Sequence, residues 1–261
     1  MNRAVSPNTT LPVLNNILIK AQGKHLYFSA TNLEVAMTYF IEVEVLNEGS
    51  VTIPAKLITN YVALLNDEEV EIKLEDRLNL SLKTPLSHTK IKGIDPQEFP
   101  VIPEVEKGVS FVLNSSALAE AIQTTAFAAS INVSRPVLTG ILVKGEKSEL
   151  VMVATDSYRL SEKILFLKKP LPEPLEYIIP AKTVLELGKI LVLFGEEEVG
   201  VQITRNQVLF SIGNLRIISR LIEGIFPDYK KIIPASQQCL CLLIKVQRIV
   251  PVNAGCFDSK R

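Results

Sequence analysis

The sequence predicts an α+β protein built from two copies of one module of about 125 residues, on three observations. Most of the chain alternates apolar and polar residues with a period of two, the pattern of half-buried strands. An amphipathic helix follows an Ile-Pro-Ala-Lys start at Ile53 and again at Ile179. Finally, Pro12-Val13-Leu14-Asn15-Asn16-Ile17-Leu18-Ile19-Lys20 recurs as Pro136-Val137-Leu138-Thr139-Gly140-Ile141-Leu142-Val143-Lys144, an offset of 124. That register holds through Ala30-Thr31 and Ala154-Thr155. Nine of the 24 aligned pairs are identical, more than unrelated segments share, so the likeness is a duplication. The copies stay in step at offset 126 for Ile53-Pro54-Ala55-Lys56 and Ile179-Pro180-Ala181-Lys182, and at 127 for Phe99-Pro100 and Phe226-Pro227.

Taken in chain order, Met1 to Thr10, with Ser6, Pro7 and Asn8, reads as a loop. Gly23 and Lys24 turn the chain before a strand at His25 to Ser29, and Glu69 to Leu74 pairs with Arg77 to Lys83 as a hairpin across Glu75-Asp76. Each Ile-Pro-Ala-Lys helix places its proline in the first turn, where the missing N–H costs nothing. In copy two, Val184, Leu187 and Leu191 form its apolar stripe and Gly195 its stop. Copy two also opens with a helix from Asn114 or Ser115 to Ala129, apolar at Leu118, Ile122 and Ala126 and capped in front. Copy one has no counterpart. The expected domains are therefore residues 1–105, an incomplete first module, and 106–236, the second. Residues 237–261 form an atypical tail where a third copy would start. All three cysteines, Cys239, Cys241 and Cys256, lie there. Our hypothesis is that the tail is out-of-frame or otherwise non-native sequence, which finding an in-frame third module in another frame of the gene would support.

Lys plus Arg equals Asp plus Glu at 28 each, so no overall field draws the chain to nucleic acid or an anionic membrane. Any such contact is local. Apolar runs such as Ile190–Phe194 and Cys239–Ile244 are far shorter than the roughly 20 residues that span a bilayer, and no signal peptide opens the chain. A cytoplasmic protein is expected. Catalytic and metal sites are not. His25 sits in a strand pattern and His88 in a turn-rich stretch without ligand or triad spacing, and Gly195-Glu196-Glu197-Glu198 reads as a solvated loop. Asp156 and Glu162 lack a matched carboxylate, no phosphate-binding glycine loop appears, and no cofactor is expected.

Four ordered motifs add a resemblance. Thr10-Leu11-Pro12-Val13-Leu14, Ala154-Thr155-Asp156-Ser157-Tyr158-Arg159-Leu160, Ile179-Pro180-Ala181-Lys182 and Gly224-Ile225-Phe226-Pro227-Asp228-Tyr229 resemble the signatures of bacterial DNA sliding clamps, the beta subunits of DNA polymerase III. The likeness covers Thr10 to Ser236. It implies three such modules per chain and two chains head to tail, with sheets outside and helices around a hole for duplex DNA. Such a ring catalyses nothing and holds the polymerase by topology and sequence-independent phosphate attraction.

The implied partners are duplex DNA, the DNA polymerase III catalytic subunit, the clamp loader and other proteins carrying a clamp-binding peptide. The DNA-facing candidates are Lys182 and Lys189, seven apart on one helix face, Lys56 as the copy-one equivalent of Lys182, and Arg135. Asn8 stands where clamps often place arginine. Ordinary surface lysines, with Lys182 paired to Glu186 four residues on, are the competing reading. By resemblance, the wall of the peptide pocket comprises Leu138, Thr155, Ser157, Tyr158, Arg159, Leu160, Pro227, Lys231 and Ile232, of which Leu138, Leu160 and Ile232 are alternatively plain core. Ser157-Tyr158 replaces the Gly-His of some members. With module three reduced to about 25 residues and module one lacking its first helix, this chain is not expected to close the two-chain ring. A scaffold of the same fold that binds proteins without encircling DNA remains the alternative.

Overall fold

A computed structural model describes residues 1–5, 11–66, 69–76, 78–103, 105, 108–231 and 233. The chain divides into two compact units, Met1–Phe226 and Pro227–Arg261. The first holds copy one of the repeat and copy two as far as Phe226.

Copy one enters through a 3-10 turn, Pro12–Asn15, and continues as β1 (Asn16–Gln22), β2 (His25–Thr31), β3 (Val35–Glu42), β4 (Gly49–Pro54), α1 (Ala55–Ala63), β5 (Glu71–Glu75), β6 (Asn79–Lys83) and β7 (His88–Lys92). Copy two begins with β8 (Val109–Asn114) and α2 (Ser115–Thr125). It then repeats the first copy element for element: a 3-10 turn, Pro136–Thr139, then β9 (Gly140–Glu146), β10 (Glu149–Thr155), β11 (Leu160–Phe166), β12 (Leu175–Pro180), α3 (Ala181–Leu191), β13 (Glu198–Ile203), β14 (Gln207–Ile212) and β15 (Leu215–Arg220). Among the described residues β8 and α2 have no counterpart in copy one.

Every described strand pairing is antiparallel. The largest sheet has eight strands in the order β4-β1-β2-β3-β15-β14-β13-β8, and the others run β11-β10-β9-β12 and β5-β6-β7. The two copies are thus welded by β3 against β15, with Leu215 opposite Tyr39 and Ser219 opposite Val35. The repeat equivalents of those two strands, β11 and β7, both lie at sheet edges.

Helix α2 starts where Asn114 accepts the Ala117 N–H at 3.1 Å, satisfying one orphan donor of the first turn. It lies across α3 at Gly188, where a Cβ would stand 2.9 Å from Ile122 Cγ2. Beneath the pair, Leu118, Ile122, Leu187 and Leu191 are buried with Val199 and Ile203 of the sheet, and the same cluster runs on into Ile17, Ile53 and Leu80 of copy one. The copies solve one packing problem in two ways. In copy one the Asn16 amide donates to the Thr52 hydroxyl at 3.1 Å, both buried, and that hydroxyl donates to the Ile94 carbonyl at 2.8 Å. In copy two the corresponding residues are Gly140 and Ile178, an apolar side chain filling the space a glycine leaves.

Several sequence expectations need correction. Residues 2–4 form a 3-10 turn rather than loop, with Ala4 fully buried. The copy-one hairpin turns later than expected: Glu75 pairs with Asn79, and Asp76 takes the positive φ of 47° that reverses the chain. The opening helix of copy two ends at Thr125 and tightens into a 3-10 turn, Ala126–Ala128, because Ala129 N–H bonds back to the Ala126 carbonyl. Helix α3 ends at Leu191, not at Gly195, since the N–H groups of Leu193 and Phe194 already reach back three residues. Pro54 and Pro180 sit one residue ahead of their helices, closing β4 and β12. His88 begins β7, bonded through Nε2 to the Ser81 hydroxyl at 2.9 Å. The tail, Ile232, Asn8 and Thr10 lie outside the described residues.

Candidate functional site

The Ala154–Leu160 motif folds into a turn whose form is dictated by two side chains. Asp156 accepts the N–H groups of Tyr158 and Arg159, both at 3.0 Å, and Thr155 accepts the Ser157 N–H at 3.2 Å while donating to the Arg159 carbonyl at 2.7 Å. The chain must then pass through positive φ, 79° at Ser157. Copy one builds the same turn from Thr31 and Asn32, with Leu33 at φ 74°. A Ser at such a position carries strain that glycine would not.

This turn places a cluster of side chains at the surface. Tyr158 is 98% exposed. Arg159 is anchored by its Nε to Asp156 at 3.0 Å and stacks 5.5 Å from the centroid of Phe127, itself half-exposed. Arg135 donates to the Ser157 hydroxyl at 3.3 Å, so this DNA-facing candidate joins the turn instead of standing apart. Leu160 is half-buried at the start of β11, whereas Leu138 and Thr155 are buried and support the turn from beneath. Pro227 and Lys231 belong to the second compact unit, where Lys231 pairs with Asp228 at 3.0 Å. Phe127, Ile131 and Val133, the last two 100% and 80% exposed, escaped the sequence reading. For Ile131 and Val133 the signal was available, because large apolar residues between Ser130, Asn132 and Ser134 in a turn-rich stretch have no strand or helix face to bury them, whereas Phe127 fell inside the expected helix.

Hydrogen bonds to the ionised form, first that from Tyr158 N–H, outweigh burial and hold the Asp156 carboxyl below the usual carboxylate range. A depressed carboxylate stabilises the fold above its ordinary value, about 4, and that contribution is lost as pH falls through the lower folded-state value. Acidification should therefore loosen this turn. Asp156→Asn keeps the acceptor that Asn32 supplies in copy one but removes the charge, so amide exchange at Tyr158 and Arg159, corrected for intrinsic rates, should lose its acid dependence. An unchanged acid response in the variant would assign it to another group.

The lysines divide into two kinds. Lys56 and Lys182 occupy the second position of α1 and α3, exposed, with no ion-pair partner among the described residues. Lys189 instead pairs with Glu186 at 2.6 Å, and Glu186 also takes Arg3. The expected Lys182–Glu186 pair does not form, because Glu186 turns toward these two cations. Burial pushes the Glu186 carboxyl up, but Lys189 and Arg3 together bring it below its ordinary value. No Lys or Arg lies on α2, whose Glu120 binds Lys163 of β11 at 2.8 Å. No group of three or more potential metal-binding residues occurs among the described residues.

Comparison with known proteins settles the kinship. Residues 1–103 match the family model of the DNA polymerase III beta subunit N-terminal domain, and residues 112–228 match that of its central domain. The chain belongs to the DNA polymerase III beta subunit family. The beta sliding clamps of Staphylococcus epidermidis and Staphylococcus aureus are each 32% identical to it over 244 residues, 90% of this chain. The chain spans 64% of the length of these relatives. Among solved structures, the Bacillus subtilis sliding clamp superposes with a TM-score of 0.85 at 32% identity, covering 90% of this chain and 63% of that one. A Pseudomonas aeruginosa sliding clamp bound to griselimycin gives 0.84 at 28% identity, covering 90% and 64%. The α+β, antiparallel-sheet architecture of this chain is that of the sliding clamps. Among its described residues, no helix is long and apolar enough to cross a membrane.

Proposed function

We propose that this chain contributes to a cytoplasmic DNA sliding clamp, the processivity factor of the replicative polymerase, encircling duplex DNA without sequence preference and without a catalytic site of its own. In this reading residues 1–105 and 106–236 are its first and central modules. The observation that carries it is the β3–β15 pairing, which welds two copies of one module into a continuous eight-stranded sheet. Repeating that junction is how a closed ring of such modules would grow, and β11 and β7 are the edges on which the next junctions would form. A polypeptide of residues 1–236 would leave both of those edges without a partner module, so by itself it should not stay on closed circular DNA. A discrete dimer retained on circular DNA and released when the DNA is cut would overturn that statement.

The peptide-receiving surface proposed for the central module is the Asp156 turn with Arg159, Leu160, Arg135 and Phe127, whose mix of apolar surface and anchored guanidinium suits a Leu/Phe peptide. Arg159→Ala or Leu160→Ala should weaken binding of a fluorescent Leu/Phe peptide about tenfold, equivalent to about 1.4 kcal/mol. Binding indifferent to both substitutions would remove the site from this turn.

A non-encircling scaffold that binds replication proteins is the second reading. It is favoured by the charges: α2 has no cation, and Lys189 is taken up by Glu186. If this reading holds, the peptide binds while retention on circular and on linear duplex is equal in any assembly containing the chain.

A further inference from the structure

Strands β1, β2 and β3 bury Ile19, Leu26 and Met37 on one face of their sheet. On the other face Lys20 lies opposite Tyr27 and Tyr27 opposite Phe40, with His25 two residues away along β2, since directly paired residues of antiparallel strands share a face. The three rings form one cluster. The centroids of His25 and Phe40 are 5.4 Å apart at 80°, those of Tyr27 and Phe40 5.8 Å and those of His25 and Tyr27 5.9 Å, and all three side chains are partly exposed. Arg216 of β15, opposite Thr38, stands diagonally across from Phe40, and Lys24 occupies the turn before His25. Lys20, Lys24 and Arg216 are exposed and have no ion-pair partner among the described residues. The bordering anions are Glu42, opposite His25, and Glu48, which accepts the Gly23 N–H at 2.9 Å. Copy two has none of this at the same register. Glu149, Val151 and Ile164 stand in place of His25, Tyr27 and Phe40, and Lys144, the equivalent of Lys20, is tied at 3.0 Å to Glu176, where copy one has Ser50. The module therefore folds without the aromatic cluster and without a free lysine beside it.

We propose that this face of β1–β3 binds single-stranded nucleic acid, its bases stacking on Tyr27, Phe40 and His25 and its phosphates drawn to Lys20, Lys24 and Arg216. The two halves of the site select the occupant together. Unpaired cations around a sheet face attract a polyanion, and aromatic rings between them offer stacking places to any base, whatever the sequence. Rings on two neighbouring strands, with two of them on alternate residues of β2, make room for about two or three bases. Duplex DNA hides its base faces in its own stack and meets only the cations, and an acidic polypeptide likewise leaves the rings unused. The proposal is independent of the clamp reading, whose duplex contacts, Lys56 and Lys182, lie on α1 and α3 and not on this face.

Fluorescence anisotropy with the 261-residue chain at low salt tests this, using a labelled oligothymidine of about 15 nucleotides, an abasic strand and a duplex of the same length, and polyglutamate as competitor. The oligothymidine should bind about tenfold or more tighter than either the abasic strand or the duplex. Tyr27→Ala and Phe40→Ala should each weaken it about tenfold, whereas Tyr27→Phe, which keeps the ring, should bind like the unsubstituted chain. Lys20→Gln and Arg216→Gln should each lower the slope of log affinity against log salt by about 0.7. Val151→Ala, at the copy-two equivalent of Tyr27, should change nothing. Comparing the strands on the unsubstituted chain tests the site whether or not the variants fold. Equal binding of the oligothymidine and the abasic strand would reduce the face to a patch of charge and overturn the proposal. So would displacement by polyglutamate at equal charge, affinity unmoved by both ring substitutions, or no binding of the oligothymidine at all. None of these results touches the clamp reading, which retention on circular duplex decides.

Discussion

Gly140→Asn should destabilise the chain by about 3 kcal/mol, and adding Ile178→Thr, itself destabilising when made alone, should leave that loss no larger. A Cβ at residue 140 would lie 2.4 Å from Ile178 Cγ2, 2.8 Å from Ile222 Cδ1 and 3.0 Å from the Ile179 carbonyl oxygen. Two of the three are β-branched side chains locked between β12 and the segment that follows β15, so they yield little. Copy one shows what the site becomes when both residues change, with Asn16 donating to Thr52 at 3.1 Å in full burial. Ile178→Thr alone leaves a cavity and a buried hydroxyl and should cost about 2 kcal/mol. The double variant should be more stable than the sum of the single effects by about 2 kcal/mol, measured by urea unfolding of all four chains. Strict additivity would mean that the two copies do not share this packing solution.

That cycle depends on the repeat, and the repeat is where the sequence was most informative. Identical residues at a constant offset reveal a duplication without any knowledge of contacts, and the Pro12 and Pro136 stretches do start the same turn and strand. The weld between the copies was not readable. Nothing in the composition of Val35–Glu42 or Leu215–Arg220 says that these strands meet, since pairing across such a separation is a property of the closed sheet. Helix ends were missed for a local reason: the alanines after Thr125 and the segment after Leu191 allow helix or 3-10 turn alike, and backbone hydrogen bonding decides. At the candidate site, spacing put Glu186 in reach of Lys182 and Lys189 equally, but Arg3 and Lys189 take it. The Thr155-Asp156 pair singled out as a site signature turns out to be turn-building chemistry, repeated by Thr31 and Asn32 in copy one. What distinguishes copy two is the company of that turn, namely Phe127, Arg135 and Arg159, which converge from separate parts of the chain.

Backbone amides of β5–β6–β7 should exchange about 100-fold to 1000-fold faster than those of the equivalent β13–β14–β15, each corrected for intrinsic rate. The two sheets carry the same strand order and register, so the contrast isolates what covers them. Strand β13 lies inside an eight-stranded sheet with β8 beside it and α2 packed over its apolar face, while β5 has neither among the described residues. Exposure of Val70, Ile72 and Leu74 at 36–38%, against 0–3% for their equivalents Val199, Val201 and Ile203, leaves roughly 40 Å² more of each side chain in water. At about 25 cal/mol per Å² that is worth roughly 1 kcal/mol per residue, and the lost strand pairing adds to it, for a total of about 3–4 kcal/mol. Opening of the small sheet need not break the β3–β15 weld, because β5, β6 and β7 lie outside that sheet. Exchange followed by mass spectrometry, comparing residues 71–92 with 198–220, reads the difference directly. Equal protection in the two segments would show that the chain unfolds as one unit and that β5 is as well covered in solution as β13.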